Sequence, residues 1–407
     1  MTVPTVSTGG VVAWYPKPAS MEGMPTELIL KMMEQMYPAE LAKFARSSSR
    51  FLEIFMKYRV KLMVQAVKNL PELENLLYLI STNKDELFPS QCLRPRRIDF
   101  CLTVNGKPQV FNFMESNVVE PVIPGKPWIS ELIYPVPKLT MGMFNLMDLW
   151  KMAKVVSWWV EIYPQLRWRE SAEDRRCLTE QEEVRVRKAV GRWWLYAHYH
   201  HGFKFEHRNN QEPRRWTHDT RMMQIRRMST IEIRELQDFW EIVRDTVSKD
   251  LCSSPERVCV CGQGYIVDMV PWGSDEYKRH DRIVSTYMKL DPDRIRHYLT
   301  NHGCWKADRM VEVISKHTRD FRRDTETLSI ALRKVIEERG LARDVDYIPY
   351  YGIVDNRDIK EVEDGWTGDE SHRGKVPLHW DVHTKFPPDP AALVRRGDDG
   401  LERSVPY

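Results

Sequence analysis

The sequence predicts a mainly α-helical chain with one small β-hairpin or sheet element. Three observations carry that reading. Apolar residues recur at helical spacing from Met24 onward, punctuated by Pro, Gly and Ser clusters. Two capping boxes, Thr179 with Glu182 and Ser229 with Glu232, stand just ahead of apolar helical runs. A single stretch, 97–114, switches to a two-residue period on either side of Asn105-Gly106.

Composition bounds the rest. The 407 residues (48.2 kDa) are long enough for two or three domains. With 42% hydrophobic and 11% aromatic residues the chain can build a core, which excludes wholesale disorder. The charge of +3, from 61 basic against 58 acidic residues, is too small for a general binder of nucleic acid or of a membrane surface. Seven cysteines, an odd and scattered set, argue against a disulfide framework. The opening MTVPTVSTGG lacks the basic and apolar regions of a signal peptide, and no N-x-[ST] sequon occurs. The most apolar stretch, Met141 to Tyr163, is broken by Asn145, Asp148, Lys151, Lys154 and Glu161, short of the about 20 apolar residues of a membrane span. A reduced setting, cytoplasmic or nuclear, is the expectation.

In chain order, residues 1–22 read as a loose tail. A helix then opens at Pro25, whose missing N–H costs nothing in a first turn, and carries Leu28, Ile29, Met32, Met33 and Met36. Tyr37-Pro38 stops it and starts a second, with Leu41, Phe44 and Ala45 as its stripe. After Ser47-Ser48-Ser49 a third, longer helix is expected, with Leu52, Phe55, Met56, Met63 and Val67 on one face. Pro71 opens a fourth, with Leu73, Leu76, Leu77 and Ile80. The hairpin follows, with Ile98, Phe100, Leu102 and Val104 alternating ahead of its turn. Beyond a Pro-rich connection the chain reads as helical at 141–163, behind each capping box, and at 276–289, 292–300, 305–318 and 326–339, the last ended by Gly340. From about residue 355 it reads as irregular. The expected domains are a tail at 1–22, a helical unit at 23–68, a mainly helical body at 69–354 and a C-terminal tail at 355–407.

The segment Met24-Pro-Thr-Glu-Leu-Ile-Leu-Lys-Met-Met, followed after five residues by Ala-Glu-Leu-Ala-Lys-Phe-Ala-Arg-Ser-Ser-Ser-Arg-Phe51, resembles an F-box. That family opens with Leu-Pro-x-Glu and two aliphatics, passes a Pro-x-acid-Leu turn and ends near a Cys-basic pair. The matching positions are Met24, Pro25, Glu27, Leu28, Ile29, Met32, Pro38, Glu40, Leu41 and Ala45. The departures are Met24 for the first Leu, Ser48 for the usual Cys and Phe51 near the usual Trp. Stretches such as Leu178–Tyr199 are diffusely similar to long fungal proteins that begin with an F-box-like segment.

The resemblance implies binding rather than catalysis. An F-box docks on the adaptor subunit of a cullin-RING ubiquitin ligase, and through it a cullin, while the rest of the chain presents a protein substrate. The docking residues it implies are Met24, Pro25, Leu28, Ile29, Met32, Pro38, Leu41 and Phe44. No cofactor is implied. A segment of about thirty residues hides too little surface to cover all of its own apolar side chains. Each of these, buried in a partner, contributes roughly 1.5–3 kcal/mol, and unbranched Met suits an adaptable interface. The alternative is a helical scaffold in which the same segment is the first layer of an ordinary core.

A third alternative is a metal or enzymatic site. Cys259, Cys261, His302 and Cys304 offer four zinc-type ligands, although C-x-C and H-x-C are unusual spacings and a small buried Cys is the commoner case. His198, His200 and His201 read as donors at a helix end, and His379 and His383 as loop residues between prolines. The basic run from Arg214 to Arg227 reads as a solvated loop. The paired tryptophans 158–159 and 193–194, with Trp240, read as core. No P-loop, complete dinucleotide fingerprint or G-x-S-x-G elbow occurs.

Overall fold

A computed structural model describes residues 21–81, 97–104, 107–115, 138–201, 220–226, 228–252, 261–262, 265–266, 283–305, 326–343 and 352–354. The protein is mainly α with a small β element. It divides into two compact units, Met1–Asn69 and Leu70–Tyr407.

The described part of the first unit is four helices: α1 (Thr26–Gln35), α2 (Pro38–Arg46), α3 (Ser49–Lys57) and α4 (Arg59–Lys68). The Pro-x-Glu-Leu motif acts locally in α2. Pro38 takes the first turn, the Glu40 carboxylate accepts the Tyr37 N–H at 3.1 Å, and Leu41 is fully buried. The expected long third helix is two. Tyr58, at φ −112° and ψ 18°, leaves helical geometry and separates α3 from α4. The break turns α4 back along α1 and α2, where Leu62, Met63, Val64, Ala66 and Val67 are buried. Asn69 fastens the return by donating from Nδ2 to the Glu34 carbonyl at 2.8 Å.

The second unit opens with α5 (Leu73–Ser81) and a three-stranded sheet in the order β2-β1-β3. Strands β1 (Arg97–Val104) and β2 (Lys107–Glu115) pair antiparallel from Val104–Lys107 outward, so the expected hairpin is present. The third strand, β3 (Lys138–Met141), lies parallel to β1 and sets buried Met141 beside buried Phe100. Met141 is therefore strand, and the helix that follows, α6 (Met143–Arg167), begins two residues later than the apolar run suggests.

Helix α7 (Glu180–His200) packs on α5, α6 and α9 (Thr230–Thr246), the last continued by a π-helical turn at Val247–Leu251. Both expected capping boxes form: Thr179 Oγ1 accepts the Glu182 N–H, Ser229 Oγ accepts the Glu232 N–H, and each glutamate reaches back to its cap. Gly191 lets α7 approach α5, since a Cβ there would stand 3.2 Å from Glu72 and Asn75. Aromatic rings fill the middle. Trp159 meets Trp193 and Phe239 edge-on at 5.6 and 5.8 Å, and its indole N–H donates to the Pro292 carbonyl at 3.1 Å. The expected core role holds for Trp159, Trp193, Trp194 and Trp240, while Trp158 is half-buried.

Around this lie α8 (Thr220–Arg226), a two-residue pair of strands β4 (Cys261–Gly262) and β5 (Tyr265–Ile266), a helical turn at 283–288, α10 (Pro292–Asn301) capped by Asp291, and α11 (Leu328–Arg343). Gly340 does not end α11, which runs on to Arg343. Its neighbours Glu338 and Arg339 are fixed by tertiary bonds to Arg226, Thr230 and Met228, enough to offset a glycine cost of about 1 kcal/mol. The tails and the expected helix at 305–318 lie outside the described residues, apart from Trp305 and residues 21–22. No helix among the described residues is long and apolar enough to cross a membrane.

Candidate functional site

The eight expected docking residues divide into two groups. Leu28 is 45% exposed and Pro25 is exposed at the helix start, while Met24, Met32 and Phe44 are half-buried. Ile29, Pro38 and Leu41 are buried. Of the eight, Leu28 and Pro25 are thus the ones exposed in the unit itself. The third and fourth helices belong to the same unit, and α4 packs on α1 and α2, so much of the cover assigned to a partner is supplied by the chain itself. Ile29, Met33, Leu41, Phe51 and Val67 form the interior. Phe44 stacks on Phe51 with centroids 4.5 Å apart and planes 10° from parallel.

Three exposed apolar residues of this unit were absent from the expected set: Met21 (54%), ahead of α1, and two on α3. Leu52 (43%) and Met56 (58%) stand one turn apart on α3 and share a face. Arg50 Nη2 donates to the Met24 carbonyl at 2.8 Å. That bond draws the first turn of α3 to the N-terminal end of α1, the end that carries Leu28. Sequence spacing had placed Leu52 and Met56 on one stripe with Met63 and Val67; the break at Tyr58 separates the outward pair from the inward pair.

Among the described residues no three His, Cys, Asp or Glu side chains form a group able to hold an ion. His302 and Cys304 are exposed, and Cys261 lies in β4. Cys259 lies outside the described residues, as do His379 and His383. Cys252 is buried, and burial pushes its thiol well above the ordinary value, which makes it a poor nucleophile.

The body instead hides many charges, several of them in opposite pairs. Arg226 clasps Glu338 through two bonds of 2.9 and 2.6 Å, so this end of the basic run is interior and paired rather than solvated. Arg221 is buried as well. Glu72 faces Arg187 at 3.5 Å; burial raises its carboxyl and the guanidinium opposes that rise. Arg192 binds Glu232 and lies 3.5 Å from Glu235.

The helix-end histidines reach across to other elements. His200 Nε2 meets Gln224 at 2.8 Å. His201 Nε2 accepts the Thr327 N–H at 3.3 Å and stands 3.0 Å from Thr327 Oγ1, which also meets the Tyr196 hydroxyl at 3.0 Å. Burial first, then Lys289, His200 and Arg221, hold His201 well below its ordinary 6.5, so the ring is neutral. Beside it, Glu326 caps α11 through the Leu328 and Ser329 amides and the Ser329 hydroxyl. Burial pushes that carboxyl up to about 7.

A further junction gathers around Asp238 on α9. Its carboxylate accepts from the Tyr163 hydroxyl at 3.3 Å, Arg167 at 2.9 Å and the Ile353 backbone N–H at 2.8 Å. Arg185 on α7 donates to the Ile353 carbonyl at 2.9 Å. The chain matches no family model, no curated protein and no solved structure.

Proposed function

We propose that the chain is an F-box-like substrate receptor: its N-terminal helical unit docks on the adaptor subunit of a cullin-RING ubiquitin ligase, and its body presents a protein target. One observation carries this reading. A small unit whose interior is already filled by Ile29, Met33, Leu41 and Phe51 still leaves Leu28, Leu52 and Met56 in water. Large apolar side chains left in water on a small helical unit suit a partner surface. The docking set proposed is Leu28, Leu52 and Met56, with Pro25, Met24 and Met32 at its margin. Ile29, Pro38 and Leu41 support it from within.

The test is co-purification of the full chain with the adaptor. Leu28→Asp and Leu52→Asp are expected to abolish it while leaving helical circular dichroism unchanged. Ile29→Asp is expected to lower the unit's helicity as well, because it places a charge in the interior. A wild-type chain that ignores the adaptor at micromolar concentration ends the receptor reading. A second reading, a helical scaffold, is favoured by the depth of Ile29 and Leu41, 1% and 0% exposed. It expects no adaptor binding from any of these proteins.

A further inference from the structure

Residues 352–354 are held by the body in an unusual way. Both backbone groups of Ile353 are bound by side chains rather than by a neighbouring strand: its N–H by Asp238 and its carbonyl by Arg185. The Ile353 and Val354 side chains are buried. Gly352 lies against the Asp238 carboxylate so closely that a Cβ would stand 3.1 Å from Oδ2 and 3.3 Å from Cγ. The grip therefore reads a main chain, disfavours a side chain at the first residue, and then admits two aliphatics. It joins residues far apart in sequence, from α6, α7 and α9 on one side to 352–354 on the other.

The gripping residues are also paired without the segment. Asp238 keeps the Tyr163 hydroxyl and Arg167, and Arg185 Nε keeps Glu235 at 3.6 Å. Departure of residues 352–354 would leave no ionised group of the grip without a counter-charge, so the usual penalty for opening a buried charged contact is small here. Arg167 and Arg185 retain partial exposure, at 27% and 18% of their side chains, which gives the grip an open edge.

We propose that Asp238 and Arg185 form a peptide clamp that the chain fills in cis with the turn Gly352-Ile353-Val354, and that a peptide presenting glycine followed by two aliphatic residues in the same turn can take its place. The clamp is independent of adaptor docking. It gives the body an interaction surface whose own segment competes with an incoming partner.

The experiment uses the full chain and a fluorescein-labelled peptide, Tyr-Tyr-Gly-Ile-Val-Asp-Asn, copied from residues 350–356. Ile353→Asp expels the segment in cis and is expected to bind the peptide saturably. Wild type is expected to bind about tenfold more weakly, because a tethered competitor acts at an effective concentration near the millimolar range. Replacing the peptide's glycine by leucine is expected to abolish binding. Absence of saturable binding to a folded Ile353→Asp chain, or equal binding by both chains, overturns the proposal. Hydrogen exchange on wild type decides the matter even if the variant fails to fold. The Ile353 amide is expected to open at lower free energy than the amides of α9; exchange only together with α9 would make 352–354 ordinary core and overturn the clamp.

Discussion

At the scale of single residues, Glu326 and His201 give the body opposing responses to pH. The Glu326 carboxyl is raised from 4.5 to about 7 in the folded chain. Between those values the folded state holds a proton that the unfolded state has released, so this contribution to stability is full below 4.5 and is lost as pH rises through 7. His201, held below 6.5, contributes in the other sense: its share is present above 6.5 and is lost as pH falls below it. Glu326→Gln isolates the first term. The stability of wild type relative to this variant, from urea midpoints, is expected to be greater at pH 5 than at pH 7.5. An equal difference at both pH values would mean that the carboxyl does not titrate in that window. Little of this was legible beforehand. Arg226 read as a solvated charge because its partner, Glu338, stands 112 residues away. Leu28 and Ile29 are neighbours of similar chemistry, and only the return of α4 decides which one is interior.

Among the secondary-structure elements, local chemistry was the legible part. The boxes at Thr179 and Ser229, the proline at the head of α2 and the Asn-Gly hairpin each rest on residues within a few positions of one another, and each forms as the spacing implied. Thr179→Ala and Ser229→Ala are each expected to lower the body's stability by about 1 kcal/mol in denaturant unfolding. A change below a few tenths would show that the tertiary contacts of α7 and α9 make their caps redundant. The elements that escaped notice depend on distant partners. Strand β3 is four residues long and exists through its parallel pairing with β1, some forty residues earlier. The break at Tyr58 lies inside a run without glycine or proline, and what favours it is the packing of α4 that it permits.

For the whole molecule, the division after Asn69 separates a small unit, four helices in its described part, from a larger body. The first unit keeps its own ties: Asn69 to Glu34, Arg50 to Met24, and Lys61 to Glu34 at 2.7 Å. A fragment of residues 1–69 is expected to be helical and to melt cooperatively, though with modest stability, since so short a chain buries a small fraction of its surface. A non-cooperative melt would mean that Ile29 and Leu41 rely on residues beyond the fragment for their cover. The mainly helical class was readable from periodicity and caps together, because both are properties of short windows. The paired charges inside the body were not, because composition counts charges without saying which of them meet.

Those pairs carry a consequence for how the helices come to rest. An oily seam between α8 and α11 would tolerate sliding by a turn, as any set of similar aliphatic knobs does. The Arg226–Glu338 clasp does not, because slippage would strand two opposite ions in a medium that cannot hydrate them. Arg339 adds a second tooth by reaching the Arg226 and Met228 carbonyls and the Thr230 hydroxyl. The two arginines thus work as a key and its lock: they add little to the strength of the seam and admit one alignment of it.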